Sequence, residues 1–180
     1  DRLIAANKDE LLFPLKRGTA KYLEKDFAGA VQDLSKVSVS KYASQELSFM
    51  LGMAYAKTKQ YEEAVQMLTD AESKGNTEAA LYLERGLANY ELKANDKAIA
   101  DLKSALDKGV KNAEAAYTLG NLYFQKDKYQ EAINAYNQSV TLGNEDEVLF
   151  NNRGKAYYNL QKYTEAIQDY SKALQKNPAY

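Results

Sequence analysis

The side chains available for catalysis in this 180-residue chain are few, because the sequence contains neither histidine nor cysteine. Without histidine there is no imidazole to act as a general base, and without cysteine there is no thiolate to attack a substrate or bind zinc. The main acidic clusters are residues 143–147 and the pair Glu62 and Glu63. Both clusters fall at predicted helix starts, where the helix dipole favours negative charge. The sequence therefore predicts no catalytic site, no metal site and no cofactor, and we expect the chain not to be an enzyme.

Charge and hydropathy argue against two further classes of partner. The 24 Lys and Arg residues are interspersed with 25 Asp and Glu residues, so no basic stripe is present of the kind that a phosphate backbone requires. No apolar run is long enough to cross a membrane. We therefore predict a soluble protein that binds no nucleic acid and does not insert into a membrane. Its lack of cysteine is compatible with both the cytoplasm and the periplasm.

A period of 34 residues organises the chain. Aligning the sequence with itself places glycine at position 8 and alanine at position 20 of five successive units, and glycine at position 31 of three of them. Small residues at positions 8 and 20 predict a close crossing of two helices, because a larger side chain would force the backbones apart. The glycines at position 31 predict left-handed residues that end a helix. The three columns are Gly18, Gly52, Gly86, Gly120 and Gly154; Ala30, Ala64, Ala98, Ala132 and Ala166; and Gly75, Gly109 and Gly143.

This pattern resembles the tetratricopeptide repeat, a helix-turn-helix unit that stacks into a solenoid. The resemblance covers residues 11–180, and it departs from the family at position 4, where tryptophan is typical and absent here. It implies an all-α fold, an α-solenoid in which antiparallel helix pairs wind into a right-handed superhelix. The matching residues of the fourth and fifth units are Leu119, Gly120, Tyr123, Ala132 and Tyr136, and Gly154, Tyr157, Ala166, Tyr170 and Pro178.

The repeat phase predicts one continuous solenoid domain. Residues 1–10 are expected to be the tail of a preceding repeat helix, cut from a longer array, or a short N-terminal cap. In the first repeat we expect helices over residues 11–24 and 27–39, with Pro14 in the first turn. We expect the second of these helices to fray early, in the β-branched and hydroxyl-rich residues 37–44. The five repeats span residues 11–44, 45–78, 79–112, 113–146 and 147–180.

Copies of the chain are also expected to associate end to end, the alternative being that residues 177–180 fold back over the last helix. On the last predicted helix Ile167, Tyr170 and Leu174 recur at a spacing of three and four and form one apolar stripe. Such a stripe on a terminal repeat needs a cover, because solenoids depend on a polar outer face at their ends.

The resemblance implies that the first helix of every repeat lines the concave face, with positions 2, 5, 9, 12 and 13 pointing into it. These positions form an apolar and aromatic stripe, which is typical of a binding site. The alternative is that contacts between repeats bury most of these side chains. The candidate partner-binding residues are Leu15, Tyr22, Phe49, Met53, Leu83, Leu87, Tyr90, Tyr117, Asn121, Phe124, Asn151, Asn152, Lys155 and Tyr158.

Family members that grip the terminal carboxylate of a partner use a clamp of lysine, asparagine and arginine side chains. Asn121 and Asn152 match two positions of that clamp, but Tyr117 replaces a lysine. Glu46 and Glu114 would also repel a carboxylate. We expect no such clamp, although both asparagines could bond the backbone of a bound segment.

Arginine at position 7 recurs in repeats one, three and five, as Arg17, Arg85 and Arg153. One interpretation is a row of cations for binding. The alternative is that each stem lies along a helix seam with its head group paired to a nearby carboxylate.

The predicted function is that of a protein–protein interaction scaffold, which binds a peptide or helix of a partner in the concave groove. Two alternatives remain open. The repeats could be an architectural or self-assembly module, or spacer, within a larger multidomain protein. They could also be an accessory domain that presents substrate to an enzyme.

Overall fold

The structure, a computed structural model, describes residues 2–38 and 43–179, with side chains from Glu10 onwards. Within these residues the secondary structure is ten α-helices and no strand, which confirms the predicted all-α class. The helices are α1 (Arg2–Leu23), α2 (Phe27–Leu34), α3 (Gln45–Lys57), α4 (Tyr61–Ser73), α5 (Ala79–Glu91), α6 (Asn95–Asp107), α7 (Ala113–Gln125), α8 (Tyr129–Thr141), α9 (Glu147–Asn159) and α10 (Tyr163–Lys176).

The chain folds as two compact units, Asp1–Ala94 and Asn95–Tyr180. In the first unit α1 packs on α2, α2 on α3, α3 on α4 and α4 on α5. In the second unit the same succession joins α6, α7, α8, α9 and α10. Each helix therefore packs against its neighbours in sequence within its own unit, as a stacked array of helix pairs requires.

In the first, second, fourth and fifth repeats the small-residue columns lie where the two helices cross, as predicted. All five alanines at position 20 are at most 1% exposed. A Cβ atom added at Gly18, Gly52, Gly120 or Gly154 would lie 2.5–2.8 Å from a side-chain carbon of the second helix of the same repeat. Because real Cβ atoms do not approach other carbons so closely, only glycine fits these positions without a shift of the neighbour.

Two kinds of turn end the helices. Gly75, Gly109 and Gly143 have φ angles of +100°, +90° and +95°, which confirms the left-handed conformation predicted at position 31. The turn inside each repeat also contains a left-handed residue, at position 15, but none of these residues is glycine. They are Lys25, Lys59, Lys93, Asp127 and Gln161, with φ angles of 57–64°.

The first repeat departs from the predicted boundaries. Helix α1 begins at Arg2 and is continuous to Leu23, so the prediction that Pro14 lies in a first turn is wrong: Pro14 is inside the helix. No glycine or proline interrupts residues 2–13, and Asn7 stands at the repeat position where later units have the helix-ending glycine. Helix α2 ends at Leu34 after 8 residues, which confirms the early end predicted there. The rest of the expected fraying segment, residues 39–42, lies outside the described residues.

Candidate partner-binding surface

In the first unit the candidate residues lie on α1, α3 and α5, and all of them are half-buried. Leu15 and Tyr22 pack against the core cluster around Leu34 and Leu51. On α3, the side chains at positions 5 and 9 pack against a second cluster of Leu68, Ala71 and Leu81. Contacts between helices therefore bury one side of these residues and leave the other side accessible. The half-buried set comprises Leu15, Tyr22, Phe49, Met53, Leu83, Leu87 and Tyr90.

In the second unit the candidate residues lie on α7 and α9. Tyr117 and Phe124 pack against the core cluster around Ile133 and Tyr136. Exposure increases along α9, where the side chain of Tyr158 is 58% exposed. The half-buried members are Tyr117, Asn121, Phe124, Asn151 and Asn152, and the exposed ones are Lys155 and Tyr158.

The aromatic ring at position 12 is held by a second ring at position 17 in three of the five repeats. Each pair meets edge to face, with interplanar angles of 64–69°. Such contacts contribute roughly 0.5–1.5 kcal/mol beyond burial, and they fix the orientation of both rings. The repeat pattern predicted the rings at position 12 as surface residues but did not indicate their partners at position 17. The pairs are Tyr22 with Phe27 at 5.9 Å, Phe124 with Tyr129 at 5.4 Å and Tyr158 with Tyr163 at 5.5 Å.

Four polar side chains form a hydrogen-bonded ladder between α7, α8 and α9. Asn152 Nδ2 donates to Tyr117 Oη at 3.0 Å and to Asn121 Oδ1 at 3.3 Å. The hydroxyl of Tyr136 also donates to Asn121 Oδ1, at 2.7 Å. Burial raises the pKa of Tyr136, so the hydroxyl remains protonated and keeps this donor role. The ladder brings together both asparagines that match clamp positions, and it fixes which way each amide points.

One donor and one acceptor of the ladder point away from these bonds. Among the residues that the structure describes, Asn121 Nδ2 and Asn152 Oδ1 have no hydrogen-bonding partner. Neither atom is buried, so each can bond water or a ligand. Asn121 Nδ2 can donate to a backbone C=O group, and Asn152 Oδ1 can accept from a backbone N–H group, of a bound peptide.

The position 7 arginines are engaged in ion pairs, as the alternative interpretation expected. Arg17 donates from Nε and Nη2 to Asp33 at 2.7 Å in both bonds, and Arg153 binds Asp169 in the same bidentate way, also at 2.7 Å. Arg85 pairs with Glu72 at 2.6 Å. These pairs join neighbouring helices, so they account for the arginines without a binding role.

The Arg17 and Asp33 pair predicts a pH dependence. Hydrogen bonds from Arg17, together with the charges of Arg17 and Lys21, hold the pKa of the buried Asp33 well below its usual range. Stability from this pair is thus complete above the unfolded pKa of about 3.9 and is lost as the pH falls towards the folded pKa. We expect urea unfolding of the wild type between pH 7 and pH 2 to show a loss of stability below about pH 4. Asp33→Asn should show a shallower loss, and parallel profiles would contradict the assignment.

Among the described residues no group of three acidic side chains could hold a metal ion. No helix in the described part of the chain combines the length and apolarity needed to span a membrane.

Family models of the tetratricopeptide repeat match most of the chain. The matches cover residues 49–109, 120–161 and 148–180, which together make up about two thirds of the sequence. The first includes most of α3 and all of α4, α5 and α6, and the other two include α8, α9 and α10. No curated protein sequence shows significant similarity to the chain.

Several solved structures with this fold are of MamA. A MamA structure designated AMB-1, from a P212121 crystal, has a TM-score of 0.83 with 17% identity and covers 96% of this chain and 94% of that chain. At that identity the likeness shows the fold alone. A second MamA crystal structure is 26% identical, with a TM-score of 0.75 over 93% of this chain and 92% of that one. A third is 27% identical, with a TM-score of 0.72 over 89% and 94%.

Members of the family whose models match here generally mediate contacts between proteins rather than catalysis. The stacked helix pairs, the small-residue columns and the family matches agree with one another. Together they show that the chain belongs to the tetratricopeptide repeat family.

Proposed function

We propose that the chain is a non-catalytic scaffold whose first helices bind a segment of a partner protein through aromatic and apolar side chains. The observation that supports this most is the set of oriented groups on α7 and α9, which we call the α7–α9 face: Tyr117, Asn121, Phe124, Asn152 and Tyr158. Phe124 and Tyr158 are held by neighbouring rings, and the two asparagines are held by the ladder. A face that is already ordered loses little side-chain entropy on binding, which favours affinity.

The polar groups of the α7–α9 face favour an extended segment over a helix in this unit. The backbone N–H and C=O groups of a helix are bonded to one another, so they would not pair with Asn121 Nδ2 or Asn152 Oδ1. An extended segment exposes both kinds of backbone group. Its apolar side chains would then lie on Phe124 and Tyr158.

Removing both rings should abolish most of this binding. We expect peptides selected from a random display library on the whole chain to bind the Phe124→Ala, Tyr158→Ala double variant at least about 30-fold more weakly, because truncation of a hot-spot aromatic typically costs about 2 kcal/mol or more. The dissociation constants are measured by fluorescence anisotropy. Phe13→Ala is the matched control, since it removes an aromatic ring that is 72% exposed on α1.

Two outcomes would count against the proposal. Equal losses of affinity in the double variant and in Phe13→Ala would remove the α7–α9 face as the site. An unchanged affinity in Asn152→Ala would contradict the extended binding mode while leaving the aromatic contacts in place.

A further inference from the structure

A cavity of about 210 Å³ lies between α6, α7 and α8. Its lining includes the buried side chains of Leu119 and Ala135, the half-buried ring of Tyr123 and the exposed side chain of Lys103. An apolar cavity of about 150 Å³ accepts one benzene ring, whereas drug-sized ligands need about 300 Å³ or more. The cavity therefore has room for one amino-acid side chain.

In repeat five the equivalent place is filled by an arginine of the chain itself. Arg153, at position 7, binds Asp169 at position 23 through two hydrogen bonds. It also donates from Nη1 to Oδ1 of Asn137, at position 25 of the preceding repeat, at 2.8 Å. The residues at these three positions around the cavity are Leu119, Ala135 and Lys103. The cavity is therefore the space that an arginine and an aspartate side chain occupy one repeat later.

Leucine at position 7 does not by itself create a cavity. Repeat two also has leucine there, but its position 23 is Met67, which packs against the core cluster that contains Leu51. Repeat one has Arg17 paired with Asp33 at these two positions. Repeat four combines leucine with Ala135, whose side chain is a single methyl group. It therefore has neither the ion pair nor the long apolar side chain that fills the space in the other two repeats.

The charged groups around the cavity carry a net negative charge. Lys103 and Asp107 pair with each other on α6, with Nζ 2.6 Å from Oδ2. Glu131 of α8 also lines the cavity, and within the described part of the chain its carboxylate has no hydrogen-bond or ion-pair partner. Burial raises the pKa of Tyr123 and the charge of Glu131 raises it further, so the carboxylate and the ring lie near each other. The cavity thus offers an unpaired carboxylate beside an aromatic and apolar lining.

An arginine side chain fits this combination. Its methylene stem can lie along the apolar lining, while its planar guanidinium stacks on the ring of Tyr123 and donates to Glu131. A lysine ammonium could pair with the carboxylate but lacks the flat surface for stacking. The other lining residues, Asn134 and Gln138, are exposed, and their amides can bond the backbone on either side of the bound arginine.

We propose that the cavity between α6, α7 and α8 binds an arginine side chain of a partner protein, with Glu131 as its carboxylate partner. The partner's arginine then fills the space that Arg153 fills within repeat five. Helical periodicity places Leu119 and Tyr123 on the opposite side of α7 from the α7 residues of the α7–α9 face. Binding in the cavity therefore does not depend on the binding proposed for that face.

An NMR titration of the isotopically labelled chain with acetyl-Gly-Gly-Arg-Gly-Gly-amide tests the site. We expect amide shifts in residues 103–107 and 131–138, and none in α9. The control peptide carries citrulline, which has nearly the shape of arginine without its charge. It should bind about fivefold more weakly, which corresponds to the upper end of the range for an exposed ion pair. Equal binding of the two peptides, shifts confined to the α7–α9 face, or no binding at all would overturn the proposal.

Two substitutions at the cavity should have opposite effects. Glu131→Gln should weaken binding of the arginine peptide to the level of the citrulline peptide. Lys103→Gln should strengthen it, because the carboxylate of Asp107 then loses its partner and attracts the guanidinium. Glu114→Gln is the matched control, since Glu114 is an exposed glutamate on α7 that does not line the cavity. Equal losses in the two glutamate variants would contradict a site in the cavity.

Filling the cavity from within gives an independent result. Leu119→Arg combined with Ala135→Asp rebuilds in repeat four the ion pair of repeat five, and Ala135→Met reproduces the packing of Met67 in repeat two. Each change should abolish the amide shifts, and circular dichroism shows whether the helices are retained. A folded variant with a filled cavity that still binds the arginine peptide would overturn the proposal. If neither variant folds, Glu131→Gln at its exposed position decides the outcome.

Discussion

Arg153→Ala is expected to lower the free energy of unfolding of the last repeat by about 3–5 kcal/mol, because it leaves a buried carboxylate without its partner. Asp169 is 3% exposed and accepts two hydrogen bonds from Arg153, each 2.7 Å long. The substitution also removes the hydrogen bond to Asn137 and the contact of the guanidinium with the Phe150 ring, whose centroid lies 5.5 Å away. Urea denaturation followed by circular dichroism measures the loss, and amide exchange shows whether it is confined to α9 and α10.

Arg17→Ala is the matched control for this prediction. It removes the same bidentate bond to an equally buried carboxylate, but Lys21 Nζ lies 3.0 Å from Asp33 and remains to neutralise it. The side chain of Arg17 is also 64% exposed, so solvent screens the pair that it forms. We expect a loss less than half of that in Arg153→Ala. Equal losses in the two variants, or a loss below about 1 kcal/mol in Arg153→Ala, would show that burial of the carboxylate is not what sets the cost.

The parts of the fold that sequence alone predicted are those where packing admits few residue types. Position 20 admits alanine because its side chain is at most 1% exposed in every repeat, and position 31 takes glycine in the three repeats where its φ angle is positive. Alanine recurs at position 20 in five repeats and glycine at position 31 in three, so several weak signals add up to one strong signal. The register of the helices followed from these two columns.

Other features left no such signal in the sequence. The left-handed residue at position 15 costs only about 1–2 kcal/mol in a non-glycine residue, so lysine, aspartate and glutamine are tolerated there and nothing marks the turn. The start of α1 was mispredicted because the repeat phase was extended into residues 1–10 and placed the end of another helix there. These residues contain no glycine or proline that would end a helix, so α1 runs through them.

The candidate surface was predicted as a set of positions but not as an arrangement. Asn121 and Asn152 were identified one at a time, whereas their orientation depends on Tyr117 and on Tyr136 of the neighbouring helix. Tyr136 was identified only as a residue that matches the repeat pattern, and its hydroxyl gave no reason to expect a link to the surface. A hydrogen-bonded ladder across three helices is a three-dimensional property, and spacing along one helix does not reveal it.

Gly120→Ala is expected to destabilise the fourth repeat, although alanine is the better helix former by about 1 kcal/mol. A Cβ atom at Gly120 would lie 2.5 Å from both Cδ1 and Cε1 of Tyr136, whose side chain is 1% exposed and has no room to move away. Overpacking of this kind typically costs about 1–3 kcal/mol, and a shift of the ring would also break its hydrogen bond to Asn121. We expect a net loss of about 1–2 kcal/mol by urea denaturation.

A double-mutant cycle with Tyr136→Leu separates this clash from strain in the backbone. Leucine removes the ring atoms that a Cβ at Gly120 would meet, so Gly120→Ala should cost less in the Tyr136→Leu background than in the wild type. Gly143→Ala is the control. It has no atom within 4 Å of an added Cβ but a φ angle of +95°, so its cost arises from the backbone alone. That cost should be the same in both backgrounds. If Tyr136→Leu rescued the two glycine variants equally, or neither of them, the close approach of Tyr136 would not be the reason that position 8 requires glycine.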